Sequence, residues 1–426
     1  MKKFFSLLFL LQSIICISSP EISKLFSILN IDIKENNTWV KQLNEWGALS
    51  QPKHELPQSK GLPLFSYYPP LQKLAHVSLC ELPTPVQKLE NISNLLHSNL
   101  YIKRDDLSRG SKYGGNKPRK LEFELAQALT YGATCVITFG CAGSNHALAT
   151  SSCAQELGLQ SMCMLKPQAN SRVVQKNLLL HLLNGTELHY ATCNDIRKIE
   201  TIITWLEYKN KYGTYPYIIP TGGSTPRGAV GFVNAVFELK QQIESGHMPE
   251  PDYIYLPCGS TATTVGLLLG CKAAGLKTKI VAVAVEPEEQ PGTFIDHITS
   301  LYNATNALLH EYDNSFALFE LNHDDLELNL NCAGNEYAVF TPECVQARTL
   351  LKETENIIID GTYTAKAYAA LIADAHSHKF DNKVVLFWNT YCAHEFEDRL
   401  AQNDYTKLPT CFHSYFEEDV QELDKI

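Results

Sequence analysis

The chain has no extended cluster of lysine and arginine: 36 basic residues stand against 46 acidic ones, a formal charge of −10. That balance lacks the basic stripe by which nucleic acid is gripped, so nucleic acid is not an expected partner. It has no CxxC pair and no regular cysteine spacing. Its 13 cysteines are scattered, and Cys135, Cys163 and Cys271 lie within apolar runs, where cysteine behaves as a small buried hydrophobe. A disulfide framework is therefore not indicated, and no metal is expected. There is no internal repeat and no low-complexity tract, which excludes repeat architectures. The apolar stretch from Phe4 to Ile17 is too short to span a bilayer comfortably.

What is present is an ordinary globular composition, 45% hydrophobic and 19% charged, over 426 residues, a length suited to about two or three domains. The N-terminus joins Lys2-Lys3, the apolar stretch and Ser18-Ser19 before Pro20, the three parts of a secretory signal over residues 1–19. Cys16 follows Ile15, where a lipoprotein cleavage site would want a small residue, which argues against a lipid anchor. The expected location is secreted or periplasmic if the signal works and cytoplasmic if it is not used, with no stable membrane insertion after its removal. Residues 20–75, ending in the proline-rich stretch from Pro52 to Pro70, read as an N-terminal extension.

From Leu82 the signals become regular. Leu121, Leu125, Ala128 and Leu129 share one face of a helix expected from Pro118 to Tyr131, with proline suited to its first turn and Gly132 to its end. Cys135 to Phe139 reads as a buried strand, Ser144 to Leu157 as a helix and Ser161 to Leu165 as the next strand. The same β-α-β pattern recurs as Tyr253 to Leu256, a helix from Val265 to Ala274, and Lys279 to Val285. Near the end, strands at Asn356 to Ile359 and Lys383 to Trp388 bracket a helix from Thr364 to Ala375. Alternation of this kind predicts an α/β fold with open, parallel-rich sheets covered by helices. The stretch from Phe294 to Asn331 reads as polar and irregular, a lid or an insertion.

In open α/β sheets ligands bind at the carboxyl ends of strands. Lys117 follows the pair Gly114-Gly115 at a helix start, as a lysine held close to backbone for covalent chemistry would. Ser144-Asn145-His146 opens another helix, and Gly259-Ser260-Thr261-Ala262-Thr263 lies where exposed N–H groups favour an anion such as phosphate. Singly, these are equally a solvated basic helix start, a capped helix and a polar turn.

Together, the segments LPTPVQKLENIS, LYIKRDDL, GGNKPRKLEFELAQAL, SNH, IPTGGS and IIIDGTYTAKAYAAL resemble the family of 1-aminocyclopropane-1-carboxylate deaminases and D-cysteine desulfhydrases. These are pyridoxal-phosphate enzymes of fold type II, the tryptophan-synthase-β fold. The resemblance, over Leu82 to Trp388, implies that Lys117 forms a Schiff base with pyridoxal 5'-phosphate and later moves the α-proton of the substrate. Asn145 should bond the ring hydroxyl of the cofactor. Ser144 should bind the substrate carboxylate or assist proton transfer, Gly259 to Thr263 should hold the phosphate, and Tyr363 with Tyr337 should form the active-site tyrosine pair. Thr364 should meet the pyridine nitrogen; Thr364, Thr390 and His146 fit the desulfhydrase side of the family, where deaminases carry glutamate after the tyrosine and tend to have leucine at the Thr390 position.

The resemblance thus implies a lyase acting on a small amino acid, D-cysteine desulfhydrase-like, with the cyclopropane deaminase as the alternative, and a homodimer. It also implies a large cofactor-binding domain of residues 76–119 plus 232–426 and a small domain of 120–231. Three departures crowd the pocket and leave the substrate open: a phosphate loop poor in glycine, Tyr391-Cys392 where two glycines usually follow Thr390, and Ala147 where an arginine is usual. They also admit a cofactor-holding protein without turnover, against which Lys117, Asn145 and Tyr363 together argue. If the signal is used, mass spectrometry of the native protein will show a chain beginning near Ser19; an intact Met1 in a cytosolic fraction would show that it is not.

Overall fold

The computed structural model describes residues 38–425 apart from 52, 57–60, 289, 393 and 402. The signal-like segment 1–19 and the first part of the extension lie outside the described residues. The ten strands are β1 (Val86–Lys88), β2 (Asn99–Arg104), β3 (Cys135–Cys141), β4 (Gln160–Lys166), β5 (Glu187–Tyr190), β6 (Tyr217–Ile219), β7 (Tyr253–Cys258), β8 (Lys279–Ala284), β9 (Leu326–Asn329) and β10 (Val384–Asn389).

They form two sheets, a six-stranded one in the order β1-β2-β10-β7-β8-β9 and a four-stranded one in the order β5-β4-β3-β6. All pairings are parallel except β1 with β2. Central strands such as β8 and β10 are continuous apolar runs because helices cover both faces of the sheet. The four-stranded sheet draws its strands from 135–219, and the six-stranded sheet from both sides of that stretch. The helices Lys117–Thr130 and Pro226–Glu244 cross the boundaries expected at 119/120 and 231/232, and that division of the chain stands as our proposal.

Two expectations are corrected. Residues 356–359 form no strand: both edges of the six-stranded sheet are already taken by β1 and β9, and Ile357 and Ile359 instead bury their side chains in its core. The stretch from Phe294 is not irregular but opens a 20-residue helix, Thr293–Tyr312, that buries Phe294, Ile298, Tyr302 and Leu309 on one face, before edge strand β9. The N-terminal extension packs onto this fold. Its helix Thr38–Leu49 buries Trp39, Val40, Leu43 and Trp46 against the four-stranded sheet. The Asn44 amide donates to the carbonyl of Ile218 and accepts from its N–H, both at 2.8 Å, so one side chain satisfies the open edge of β6.

The helices Lys117–Thr130 and Pro226–Glu244 lie so close that a Cβ on Gly231 would stand 2.1 Å from the Arg119 carbonyl oxygen. Beside that crossing a charge cluster is sealed from solvent. The Arg119 guanidinium bonds Asp105 at 2.7 Å and Glu238 at 3.0 Å. Glu238 is also 2.5 Å from the Lys103 ammonium, and Trp388 donates its indole N–H to Asp105 at 2.7 Å. Burial works to raise the Glu238 carboxyl, but Arg119 and Lys103 outweigh it and hold it at about 2. Removing one member strands the others, so Glu238→Gln should cost about 3–5 kcal/mol of unfolding free energy in urea titrations at neutral pH. Because its folded value lies below the unfolded one, that stabilisation is present above the ordinary carboxylate range and lost as pH falls towards about 2. The gap between the variant and the natural protein should therefore close in acid.

Candidate active site

The carboxyl ends of β3, β4, β6, β7 and β10 open on one cavity of about 1120 Å³. Lys117 lines it from the first position of its helix. Gly115 makes the approach possible, since it has φ +86° and a Cβ there would lie 2.8 Å from the Thr390 carbonyl oxygen. Asn116 then ties the lysine to both neighbours, donating its N–H to the Thr390 carbonyl at 3.1 Å and its side-chain amide to the Thr263 hydroxyl at 3.0 Å. Burial lowers the Lys117 ammonium to about 8, against the opposing pull of the Asp360 carboxylate. Lys120, also buried and donating to the Gly222 carbonyl at 3.2 Å, is pushed well down by burial and then by Lys117.

Ser144 caps the helix Asn145–Glu156: its hydroxyl oxygen accepts from the Ala147 N–H at 3.2 Å, which leaves the hydroxyl hydrogen to the cavity. The Asn145 carbonyl oxygen accepts twice, from the Tyr113 hydroxyl at 2.9 Å and the Asn177 amide at 3.0 Å. Its own amide N–H₂ is thereby turned to the cavity. His146 shares a 2.9 Å hydrogen bond with Thr138, and burial, then Lys117 and Lys120, keep its imidazole well below the ordinary range. The Tyr337 and Tyr363 hydroxyls bond each other; burial raises both phenols, so both stay protonated.

Gly259, Ser260, Thr261 and Thr263 line the cavity where β7 meets the helix Ala262–Ala274, whose first N–H groups have no intrahelical partner. Thr261 holds this turn with φ +69°, a left-handed conformation in which glycine is easier. The Ser224 hydroxyl braces the turn, donating to the Ser260 carbonyl. Thr390 and Tyr391 close the opposite side, and the Tyr391 hydroxyl accepts from Lys176 at 2.8 Å.

Lys117, Ser144, Asn145, His146, Gly259, Ser260, Thr261, Thr263, Tyr337, Tyr363 and Thr390 thus share one cavity, while Ala262 and Thr364 are fully buried off its wall. The Thr364 hydroxyl donates to the Asp360 carboxylate at 2.5 Å and accepts from the Asp360 N–H at 2.8 Å. It is Asp360 that reaches the cavity. Sequence reasoning passed over this residue, although an aspartate just before a helix start is a capping signal. Tyr113 and Asn177, which orient Asn145, each lie 32 residues away from it and gave no local signal.

Residues 77–390 match the family model described as "Pyridoxal-phosphate dependent enzyme". A Thermotoga maritima protein provisionally named 1-aminocyclopropane-1-carboxylate deaminase is 33% identical over 311 residues, 72% of this chain and 93% of that protein. A D-cysteine desulfhydrase of Serratia proteamaculans is 32% identical over 329 residues, 75% of this chain and 95% of the relative. The solved structure of an ACC deaminase homologue superposes with TM-score 0.66 at 30% identity, covering 80% of this chain and 99% of that one. Threonine deaminase isoform 2 of Solanum lycopersicum, at 17% identity and TM-score 0.52, shares the fold.

Only a neutral amine condenses with an aldehyde, so uptake of pyridoxal 5'-phosphate by the cofactor-free protein should quicken as pH rises towards about 8 and level off above it. Borohydride should then fix the cofactor to the peptide containing Lys117. Lys117→Ala should take up none at this position while its circular dichroism is unchanged; label on Lys120 instead would contradict the assignment.

Proposed function

The chain belongs to the pyridoxal-phosphate dependent enzyme family, and on that premise we propose that it is a β-eliminating lyase of a small amino acid. The reading is D-cysteine desulfhydrase-like: D-cysteine gives pyruvate, sulfide and ammonia. A homodimer, and export behind the signal-like segment, belong to the same proposal.

The cavity fits the cofactor. The amide N–H₂ of Asn145, turned inward by two donors on its oxygen, suits a ring hydroxyl. The turn 259–263 opens the helix Ala262–Ala274, and apart from the Ala262 N–H, which donates to the Ser224 hydroxyl and the Ser260 carbonyl, its first N–H groups have no intrahelical acceptor and suit a phosphate. When bound, the cofactor supplies an electron sink for charge developing at the α-carbon. The observation that carries the reading is the placement of Lys117 on the wall of the cavity that Ser144, Tyr337 and Tyr363 also line, anchored through Asn116; burial lowers its ammonium to about 8, which favours an amine able to take the α-proton. Ser144 presents a hydroxyl hydrogen for the substrate carboxylate. The protonated Tyr337–Tyr363 pair can donate to a thiolate leaving the β-carbon.

Thr390, which resembles the desulfhydrase members and lines the cavity, supports expulsion of sulfur. Asp360, which lines the cavity, favours the second reading, deamination of 1-aminocyclopropane-1-carboxylate, because a carboxylate there would strengthen the electron sink that ring opening needs. Under the first reading D-cysteine and β-chloro-D-alanine will release pyruvate at least roughly tenfold faster than the cyclopropane substrate releases its oxo acid, a difference of about 1.4 kcal/mol in barrier. Asp360→Asn should widen the gap. Preference of the natural enzyme for the cyclopropane substrate would overturn the desulfhydrase reading.

A further inference from the structure

The cavity is longer than a small amino acid requires. Lys117, Lys120, Glu124, Gln127 and Tyr131 all line it, and this spacing of three or four residues is one face of a helix. The cavity therefore follows the helix for its whole length, and Glu124 and Tyr131 lie about 10 Å and about 21 Å along the axis from Lys117 at 1.5 Å per residue. Its volume of about 1120 Å³ has to take the cofactor as well as the substrate, and it stands at the upper end of ligand sites.

The far arm is built around Arg227, whose charge is felt by Glu124, Tyr131 and Tyr217 and which therefore stands beside that part of the helix. Glu124 is already engaged, accepting from the Thr225 hydroxyl and from the Tyr217 hydroxyl at 3.2 Å. The Nη1 of Arg227, by contrast, is shut away from solvent and has no hydrogen-bond partner among the described residues. Arg227 is itself half-buried and lines the cavity, and a carboxylate is the partner whose geometry suits a guanidinium. Across the arm stand Asn44 of the helix Thr38–Leu49 and His297 of the helix Thr293–Tyr312.

We propose that this arm is a subsite for the distal end of the substrate, and that the substrate class is a cysteine S-conjugate whose sulfur substituent ends in a carboxylate held by Arg227. The inference rests on the β-elimination reading above. In that reaction the Cα–H and Cβ–S bonds break, and the electron pair of the Cβ–S bond leaves on sulfur, which is protonated to a thiol. The remaining aminoacrylate tautomerises and takes up one water to give pyruvate and ammonia, with no change of oxidant or reductant.

The test is a series of S-(ω-carboxyalkyl)cysteines of both chiralities and increasing chain length, each paired with its neutral carboxamide, on the holoenzyme. The ratio of kcat/KM for carboxylate over amide should grow with chain length to roughly tenfold or more, as expected of one charge-assisted bond. It should fall to about one in Arg227→Gln and be partly kept in Arg227→Lys. A ratio near one at every length, or a ratio that survives in Arg227→Gln, overturns the proposal. β-Chloroalanine, too short to reach the arm, reports separately on β-elimination. If nothing is turned over, calorimetric binding of the longest carboxylate and amide decides: preference for the carboxylate that Arg227→Gln loses supports the subsite, and equal binding refutes it.

Discussion

The sealed cluster of Lys103, Asp105, Arg119 and Glu238 fixes where everything else can be. Its two cations and two anions come from β2, from the turn after it, and from the helices Lys117–Thr130 and Pro226–Glu244, and Trp388 of β10 closes it. Charges removed from water are tolerable only when each finds its partners, so the four elements must meet in one arrangement or not at all. Arg119 is two residues from Lys117. The first turn of that helix therefore cannot slide or rotate without breaking bonds to Asp105 and Glu238, and the Lys117 amine inherits its position from a cluster that takes no part in the chemistry. The close approach of Gly231 to the Arg119 carbonyl locks the same turn from the other side.

Position alone would leave an ordinary ammonium. Lys117, Lys120 and His146 share the cavity, and burial favours their neutral forms, reinforced at Lys120 by Lys117 and at His146 by both lysines, with Asp360 the opposing charge on Lys117. The phenols of Tyr337 and Tyr363 are pushed the other way and keep their protons. The cavity thus holds a base and two acids in usable states near neutral pH, by the same desolvation acting on groups of opposite charge type.

Strongly periodic elements were legible from the residues. The helix behind Lys117, strands β3, β4, β7, β8 and β10, and the helices Asn145–Glu156 and Ala262–Ala274 stand within a few residues of their expected bounds, because apolar spacing and glycine stops are local signals. The resemblance supplied the family and the cofactor, which spacing could not. What failed was non-local. Ile357 and Ile359 look like a strand, but the sheet had no edge left for them. Polar residues on the outer face of Thr293–Tyr312 hid its buried stripe of Phe294, Ile298, Tyr302 and Leu309. Asp360 was overlooked because Thr364 stood in the position that the resemblance marks, while the fold turns the threonine inward and the aspartate to the cavity.

The helix Thr38–Leu49 shows why the cavity has the shape it has. The helix lies outside residues 77–390, which match the family model, yet Val40, Lys41, Asn44 and Glu45 form part of the wall. Asn44 does two things at once: it satisfies the edge of β6 through the Ile218 backbone, and it stands across the arm from the residues around Arg227. The helix is anchored by Trp39, Val40, Leu43 and Trp46 in the core of the four-stranded sheet, a burial of apolar area large enough to hold it in place without further charge pairing. The helix that seals an exposed sheet edge therefore also supplies wall to the cavity, so the far arm is shaped from outside the family match as well as from within it.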